Sequence, residues 1–130
     1  MKNVTIKIRD NSKVILIPFQ IDTNVQEALE KAYNQEKADG QHFAFAIQYF
    51  GYFGQEYGGY QVVMIDGIYD KPQDPNDYWK LIINGTDATV GIENYMVNAG
   101  DIIEFDYVTF LPNSNNMLLA IKHEYYQANI

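Results

Sequence analysis

One segment of the chain has clear helical periodicity, and strand-like segments lie on both sides of it. Its apolar residues recur at the three- and four-residue spacing that forms one face of a helix: Val25, Ala28, Leu29 and Ala32. Thr23 and Gln26 have the spacing of a capping box at its start, and Gly40 offers a C-terminal stop. The sequence therefore predicts a helix between these limits.

Two strands are predicted before this helix. Val4, Ile6 and Ile8 alternate with polar residues, which is the two-residue period of a half-buried strand. Residues 10–12, Asp-Asn-Ser, then supply turn chemistry. We therefore expect residues 14–21 to return as the second strand of a hairpin.

Strand-like segments also follow the helix. An aromatic segment, residues 43–52, leads into a glycine-rich stretch, residues 50–59, that is typical of a loop or a bulged hairpin tip. Turns at Asp66-Gly67 and Asn84-Gly85 divide the rest into further predicted strands: residues 60–65, 77–83, 88–92 and 102–108.

This element order, ββαβββ, predicts an α+β fold in which a mixed sheet packs on one main helix. That is the outline of a β-grasp, or ubiquitin-like, domain. The length of 130 residues suits one domain, residues 1–130, with residues 109–130 as a C-terminal extension. Within the extension, residues 117–126 fit either a strand or a short helix.

The composition limits the partners that the chain can bind. Seventeen Asp and Glu against nine Lys and Arg give a formal charge of -8 and a pI near 4.5, which repels phosphate backbones. We therefore expect no nucleic-acid partner, and no apolar run suggests membrane insertion. The protein is either cytosolic or exported by a signal that lies outside this sequence.

The sequence favours binding over catalysis. Aromatic residues make up 15% of the chain, with 11 tyrosines, and tyrosine offers a broad contact area with a polar tip. We find no nucleophile motif, phosphate loop or zinc-protease motif, and Cys is absent. Glu104 and Asp106 alternate with aromatic residues, so they are expected on the solvent side of a strand.

No metal site is expected. Asp70, Asp74 and Asp77 could supply oxygen ligands for calcium, but their spacing is not that of an EF-hand loop, which favours a solvated turn. His42 and His123 are the chain's two histidines and each is isolated in the sequence.

Trp79, the chain's one tryptophan, lies in a predicted strand. Because side chains alternate along a strand, Trp79 shares one face with Leu81 and Ile83. Tyr78 and Lys80 share the other. Since Leu81 and Ile83 have the character of core residues, periodicity favours a core position for Trp79.

Four segments, in this order, resemble the C-terminal-like domain of the transcobalamin and intrinsic factor family. They are NVQEALEKA (24–32), GYQVVMIDG (59–67), YWKLIING (78–85) and GIENYMVNAGDIIEFDY (91–107). The resemblance covers residues 4–108 and implies a β-grasp fold. In the vitamin carriers this domain closes over cobalamin, which a helical domain without a counterpart in this sequence mainly holds. A shallow ligand face is therefore expected.

The resemblance also implies binding residues. Carried over position by position, it implies that Tyr78, Trp79 and Lys80 contact the ligand.

The glycine-rich segment is the second region that faces the ligand in the family. It contains Tyr52, Tyr57 and Tyr60 among four glycines, and Tyr60 matches the family best. From the residues alone, a bulged strand pair and a contact loop remain alternative interpretations.

Two functional hypotheses follow. The first is a non-enzymatic binding module, extracellular or attached to the cell surface, that contacts a corrinoid such as cobalamin, or a similar flat ligand, through an aromatic face. The alternative is a structural or protein-interaction module of a surface protein with no small-molecule ligand.

Overall fold

The computed structural model describes residues 2–52, 58–70 and 76–109. Within them lie one helix and eight strands, in this order: β1 (Asn3–Ile8), β2 (Lys13–Pro18), α1 (Val25–Ala38), β3 (Phe45–Tyr52), β4 (Gly58–Ile65), β5 (Ile68–Tyr69), β6 (Asp77–Ile83), β7 (Thr86–Asp87) and β8 (Ile102–Thr109). The fold is α+β, as predicted.

The described strands form two sheets instead of the single mixed sheet that the sequence suggested. Five strands lie in the order β2-β1-β8-β6-β7, with β1 and β8 parallel and the other neighbours antiparallel. The remaining three form an antiparallel sheet in the order β3-β4-β5. The pattern of apolar residues predicts where strands occur, but strand pairing depends on contacts that a local pattern does not contain.

The core lies where the five-stranded sheet, α1 and the three-stranded sheet meet. Alternating residues of β1 and β2 and the apolar face of α1 contribute to it, as their periodicity predicts. Its largest almost fully buried side chains are Phe105, Ile6, Ile8, Ile15, Ile17, Leu29, Ile65, Ile103, Val4 and Val25.

The helix begins one residue later than the capping-box prediction placed it. Asn24 is the N-cap, and its side chain accepts from the Glu27 amide at 2.8 Å. Glu27 in turn accepts from the Asn24 amide at 3.1 Å. The assignment of Thr23 and Gln26 to this box was therefore wrong: Thr23 is buried, and its hydroxyl accepts a hydrogen bond from Lys31.

One predicted strand, residues 14–21, is shorter than expected, and another, residues 88–92, does not form. β2 ends at Pro18 rather than at residue 21: Pro18 pairs with Asn3, the first residue of β1, and Asp22 adopts a left-handed φ of 61°. Residues 88–92 form no strand: the Ile92 carbonyl instead accepts from the amide of Gln26 in the first turn of α1. Ile92 is still buried in the core.

The glycine-rich segment lies between β3 and β4. The pairing of these strands shifts register between Tyr49 and Tyr52, which agrees with the predicted bulge. Residues 53–57 lie outside the described part, as do residues 110–130 of the predicted extension. Among the described residues, no helix is long and apolar enough to cross a membrane.

Candidate functional site

Trp79 belongs to the core. It lies on the inner face of β6 opposite Tyr107 of β8, is 5% exposed, and its ring centroid is 5.2 Å from that of Tyr107. Its indole Nε1 donates to the carbonyl of Ile68 at 2.9 Å. The periodicity argument therefore predicted the position of Trp79 correctly.

Tyr107, like Trp79, donates a hydrogen bond to a backbone carbonyl of β5. Its hydroxyl donates to the carbonyl of Tyr69 at 3.0 Å and to Asp77 at 3.3 Å. Burial raises the pKa of Tyr107 to about 12, and the Asp77 carboxylate acts in the same direction. Trp79 and Tyr107 together bond both carbonyls of β5, so this aromatic pair joins the three-stranded sheet to the five-stranded sheet.

Tyr78 and Lys80 lie on the opposite face of β6, as the alternation predicted. Burial raises the pKa of Tyr78 to about 12, and the carboxylates of Asp87 and Asp106 add to this shift. The Lys80 ammonium pairs with Asp87 at 2.9 Å. This face of the five-stranded sheet, the outer face, is thus separated from Trp79 by the thickness of the sheet.

Tyr60 lies on β4, opposite Tyr49 of β3. Their ring centroids are 5.1 Å apart, with 54° between the ring planes. Tyr60 is partly buried and packs against the core, whereas Tyr49 is 48% exposed. We call these two residues the tyrosine pair.

The other two sequence candidates are only partly described. Tyr52 is the last residue of β3 and pairs with Gly58, and Tyr57 lies outside the described residues. The six candidates therefore do not form one surface: Trp79 is in the core, Tyr78 and Lys80 are on the outer face, and Tyr60 is in the other sheet.

Glu93 holds the backbone beside the tyrosine pair, and the sequence analysis missed it. Its Oε1 accepts from the Tyr60 amide at 3.0 Å. The sequence feature that could have pointed to Glu93 is its position inside one family-like segment, residues 91–107, while Tyr60 lies inside another, residues 59–67. Tyr49 was not predicted as a site residue either, although it lies in the aromatic segment of residues 43–52.

Other candidate groups are already engaged in the structure. Arg9 donates to Glu104 at 2.7 Å and to Asp106 at 3.0 Å, so both carboxylates belong to an ion-paired cluster on the outer face. Asp66 accepts from Lys13, Asn11 and the Ala44 amide.

The metal candidates show no assembled site in the described chain. Asp77 accepts from Tyr107 and from Thr109, and His42 is 3.7 Å from Asp66. No group of three or more metal-ligating side chains occurs among the described residues. Asp74 and His123 lie outside them.

A shallow cleft of about 310 Å³ opens near the β6–β7 turn. Ile83, Val90 and Tyr95 supply its apolar surface, and Asn84 and Asp87 are among its polar residues. The Asn84 side chain there is hydrogen-bonded through both its nitrogen and its oxygen: it donates to Asp101 and accepts from the Ile102 amide.

The solved structures that are similar to this chain include the following two. The crystal structure of haptocorrin in complex with Cbi superposes with a TM-score of 0.64 at 18% sequence identity, over 85% of this chain and 25% of haptocorrin. The chain thus spans about a quarter of that protein's length. The other is a protein from Ruminococcus gnavus ATCC 29149 described as a candidate metal-binding protein, with a TM-score of 0.52 at 14% identity, over 85% of this chain and all of that one.

At such identities, these structures define a shared α+β fold. A family model described as a domain of unknown function, DUF4430, matches residues 22–109. The chain therefore belongs to the DUF4430 family. No curated protein matches its sequence.

Proposed function

We propose that the protein is a non-enzymatic binding module with a β-grasp fold, and that its contact surface is centred on the tyrosine pair. The sheet order β2-β1-β8-β6, with parallel β1 and β8 side by side, supports the β-grasp assignment. The family resemblance of the sequence and the fold shared with haptocorrin support a binding role.

The observation that carries the proposal is the tyrosine pair: Tyr49 is half-exposed on β3, and Tyr60 lies beside it on β4, in a segment that resembles the ligand-facing segment of the family. Tyr60 is supported by the core and by Glu93, and Tyr49 presents an aromatic surface to solvent. Such a pair of rings can stack on a flat apolar ligand. We propose a corrinoid or a similar flat small molecule as the ligand.

The proposed contact surface does not include Trp79, whose ring is buried and whose indole hydrogen is already bonded. Tyr78 and Lys80 lie on the other side of the five-stranded sheet and are proposed only as a separate, secondary contact. The resemblance to the vitamin carriers supports an extracellular or cell-surface location, which fractionation of the native cells would test.

The test is a titration with cyanocobalamin at high micromolar concentration, followed by amide and aromatic NMR shifts. The proposal expects shifts concentrated at Tyr49 and Tyr60, and about tenfold weaker binding in Tyr49→Ala. The matched control is Tyr69→Ala, which removes a tyrosine that is similarly exposed but lies at β5. Absence of any shift at the tyrosine pair would exclude cobalamin as the ligand of this surface.

A second candidate function is a protein-interaction module, which the exposed apolar side chains of β2 favour. Val14 is 57% exposed and Leu16 54% exposed, and β2 lies at the edge of its sheet among the described strands. This candidate predicts that Leu16→Glu weakens the recovery of a protein partner from native cells, whereas Tyr49→Ala does not.

A further inference from the structure

The carboxylate of Glu93 approaches the backbone of β4 unusually closely. Its Oε1 lies 3.0 Å from the Tyr60 nitrogen, and a Cβ built on Gly59 would lie 1.5 Å from the same oxygen. Gly59 also has a φ of +82°, in the left-handed region. With any other residue at position 59, the Glu93 carboxylate would have to move away from this position beside the Tyr60 amide.

The segment that carries Glu93 is itself fixed to the start of α1. The Asn24 side chain donates to the Glu93 carbonyl at 3.3 Å, and the amides of Val25 and Gln26 donate to the segment's carbonyls at 3.2 and 3.0 Å. The buried side chain of Ile92 anchors the same segment in the core. Glu93 thus extends from a base that the helix and the core hold in place.

At the other end of this connection lies the tyrosine pair, which is situated between the two register shifts of the β3–β4 ladder. The register shifts directly beyond Tyr49, and β5 pairs with β4 only at Met64 and Ile65. The hydrogen bond that the Tyr60 amide donates to Glu93 is therefore a restraint on β4 in addition to its pairing with β3.

We propose that Glu93 is a positioning residue for the tyrosine pair: its carboxylate sets where Tyr60, and with it Tyr49, stands relative to the start of α1. This inference rests on the proposed function for its role in binding. The effect of Glu93 on the position of the tyrosine pair does not depend on that function, and it can be measured without any ligand.

The experiment compares Glu93→Ala, which removes the acceptor, with Glu93→Gln, which keeps an acceptor oxygen at the same position. The control is Glu104→Ala, which removes a hydrogen-bonded carboxylate from the outer face. NMR without ligand reports the Tyr60 amide shift, its hydrogen exchange, and the cross-relaxation between the Tyr49 and Tyr60 rings. The inference expects faster exchange and weaker ring contact in Glu93→Ala, with near-native values in the other two variants.

Binding of cyanocobalamin is measured on the same samples. We expect about fivefold weaker affinity in Glu93→Ala and a change within about twofold in Glu93→Gln. An unchanged ring contact in Glu93→Ala would overturn the inference, as would a moved ring pair with unchanged affinity. If the wild-type protein does not bind cyanocobalamin, the proposed function fails for this ligand, whereas the ring-contact measurement still decides the structural role of Glu93.

Glu93→Asp keeps the inference testable if Glu93→Ala does not fold. This change retains the charge but draws the carboxylate back by one methylene, so the bond to the Tyr60 amide should lengthen. A Tyr60 amide shift and ring contact identical to wild type in Glu93→Asp would contradict the inference.

Discussion

Two aromatic pairs in this protein have nearly the same geometry and opposite surroundings. The rings of Trp79 and Tyr107 lie 5.2 Å apart at 57°, and those of Tyr49 and Tyr60 lie 5.1 Å apart at 54°. Trp79 is 5% exposed, whereas Tyr49 is 48% exposed. Ring geometry alone therefore does not distinguish a structural pair from a contact pair.

The two pairs also differ in the hydrogen bonds that connect them to the rest of the fold. The indole of Trp79 and the hydroxyl of Tyr107 donate to the carbonyls of Ile68 and Tyr69, so their hydrogen-bonding capacity is used inside the fold. In the second pair, the backbone amide of Tyr60 donates a hydrogen bond to the carboxylate of Glu93. The first arrangement joins two sheets, and the second presents an aromatic surface from a fixed backbone.

The largest expected effect concerns the buried pair. Trp79→Ala removes a core ring and the bond to Ile68, and we expect it to lower the free energy of unfolding by about 3–5 kcal/mol. Trp79→Phe keeps an aromatic ring but loses the donor, for an expected cost of about 1–3 kcal/mol. Urea denaturation followed by circular dichroism measures both. A cost below about 1 kcal/mol for Trp79→Ala would mean that the ring does not join the sheets.

The next largest loss of stability is expected at Gly59, where the backbone lies close to the Glu93 carboxylate. Gly59→Ala places a Cβ against Glu93 in a left-handed conformation, and we expect a cost of about 2–4 kcal/mol. Gly67→Ala is the matched control, because Gly67 has a similar φ of +87° but no atom within 4 Å of the added Cβ. Its cost should be about 1–2 kcal/mol, from the backbone alone. Equal costs in denaturant unfolding would show that the contact with Glu93 is loose.

Tyr107→Phe should have a smaller effect with a specific pH dependence. The pKa of Tyr107 rises from 10.0 to about 12 in the fold, so folding favours the neutral phenol. The resulting stabilisation is fully present below pH 10 and is lost as the pH rises through about 12. Tyr107→Phe loses the two hydroxyl bonds, at a cost of about 1 kcal/mol near neutral pH.

The measurement for Tyr107 is the free energy of unfolding between neutral pH and pH 12 in both proteins. Part of the alkaline loss should persist in Tyr107→Phe, because the pKa of Tyr78 is also raised to about 12. The decline should nevertheless be shallower in the variant than in the wild type. An identical decline in the two proteins would show that the Tyr107 hydroxyl does not titrate as its surroundings indicate.

The two pairs also differ in how far the sequence could predict them. Local periodicity identified the inner face of β6 and so the core position of Trp79. It also identified the first hairpin and the helix, because each depends on residues close together in the chain. The cap assignment failed by one residue because Thr23, Asn24 and their partners three residues on offer two overlapping candidates.

The contact between Tyr60 and Glu93 could not be predicted in the same way. It joins residues 33 positions apart, and no period or turn motif encodes it. The division of the strands into two sheets is likewise a result of tertiary pairing. Both family-like segments were visible in the sequence, but only the fold brings them together and adds Tyr49 to Tyr60.

The smallest expected effect on stability is that of Tyr49→Ala. Because about half of this side chain remains in solvent, its removal exposes little core, and we expect a loss below about 1.5 kcal/mol in the free energy of unfolding. The measurement is the same urea denaturation that is used for Trp79→Ala, so the two pairs are compared directly. If the tyrosine pair serves contact with a ligand, Tyr49→Ala should impair binding far more than folding. A stability loss as large as that of Trp79→Ala would instead make the tyrosine pair a second structural link, and the functional distinction between the two pairs would disappear.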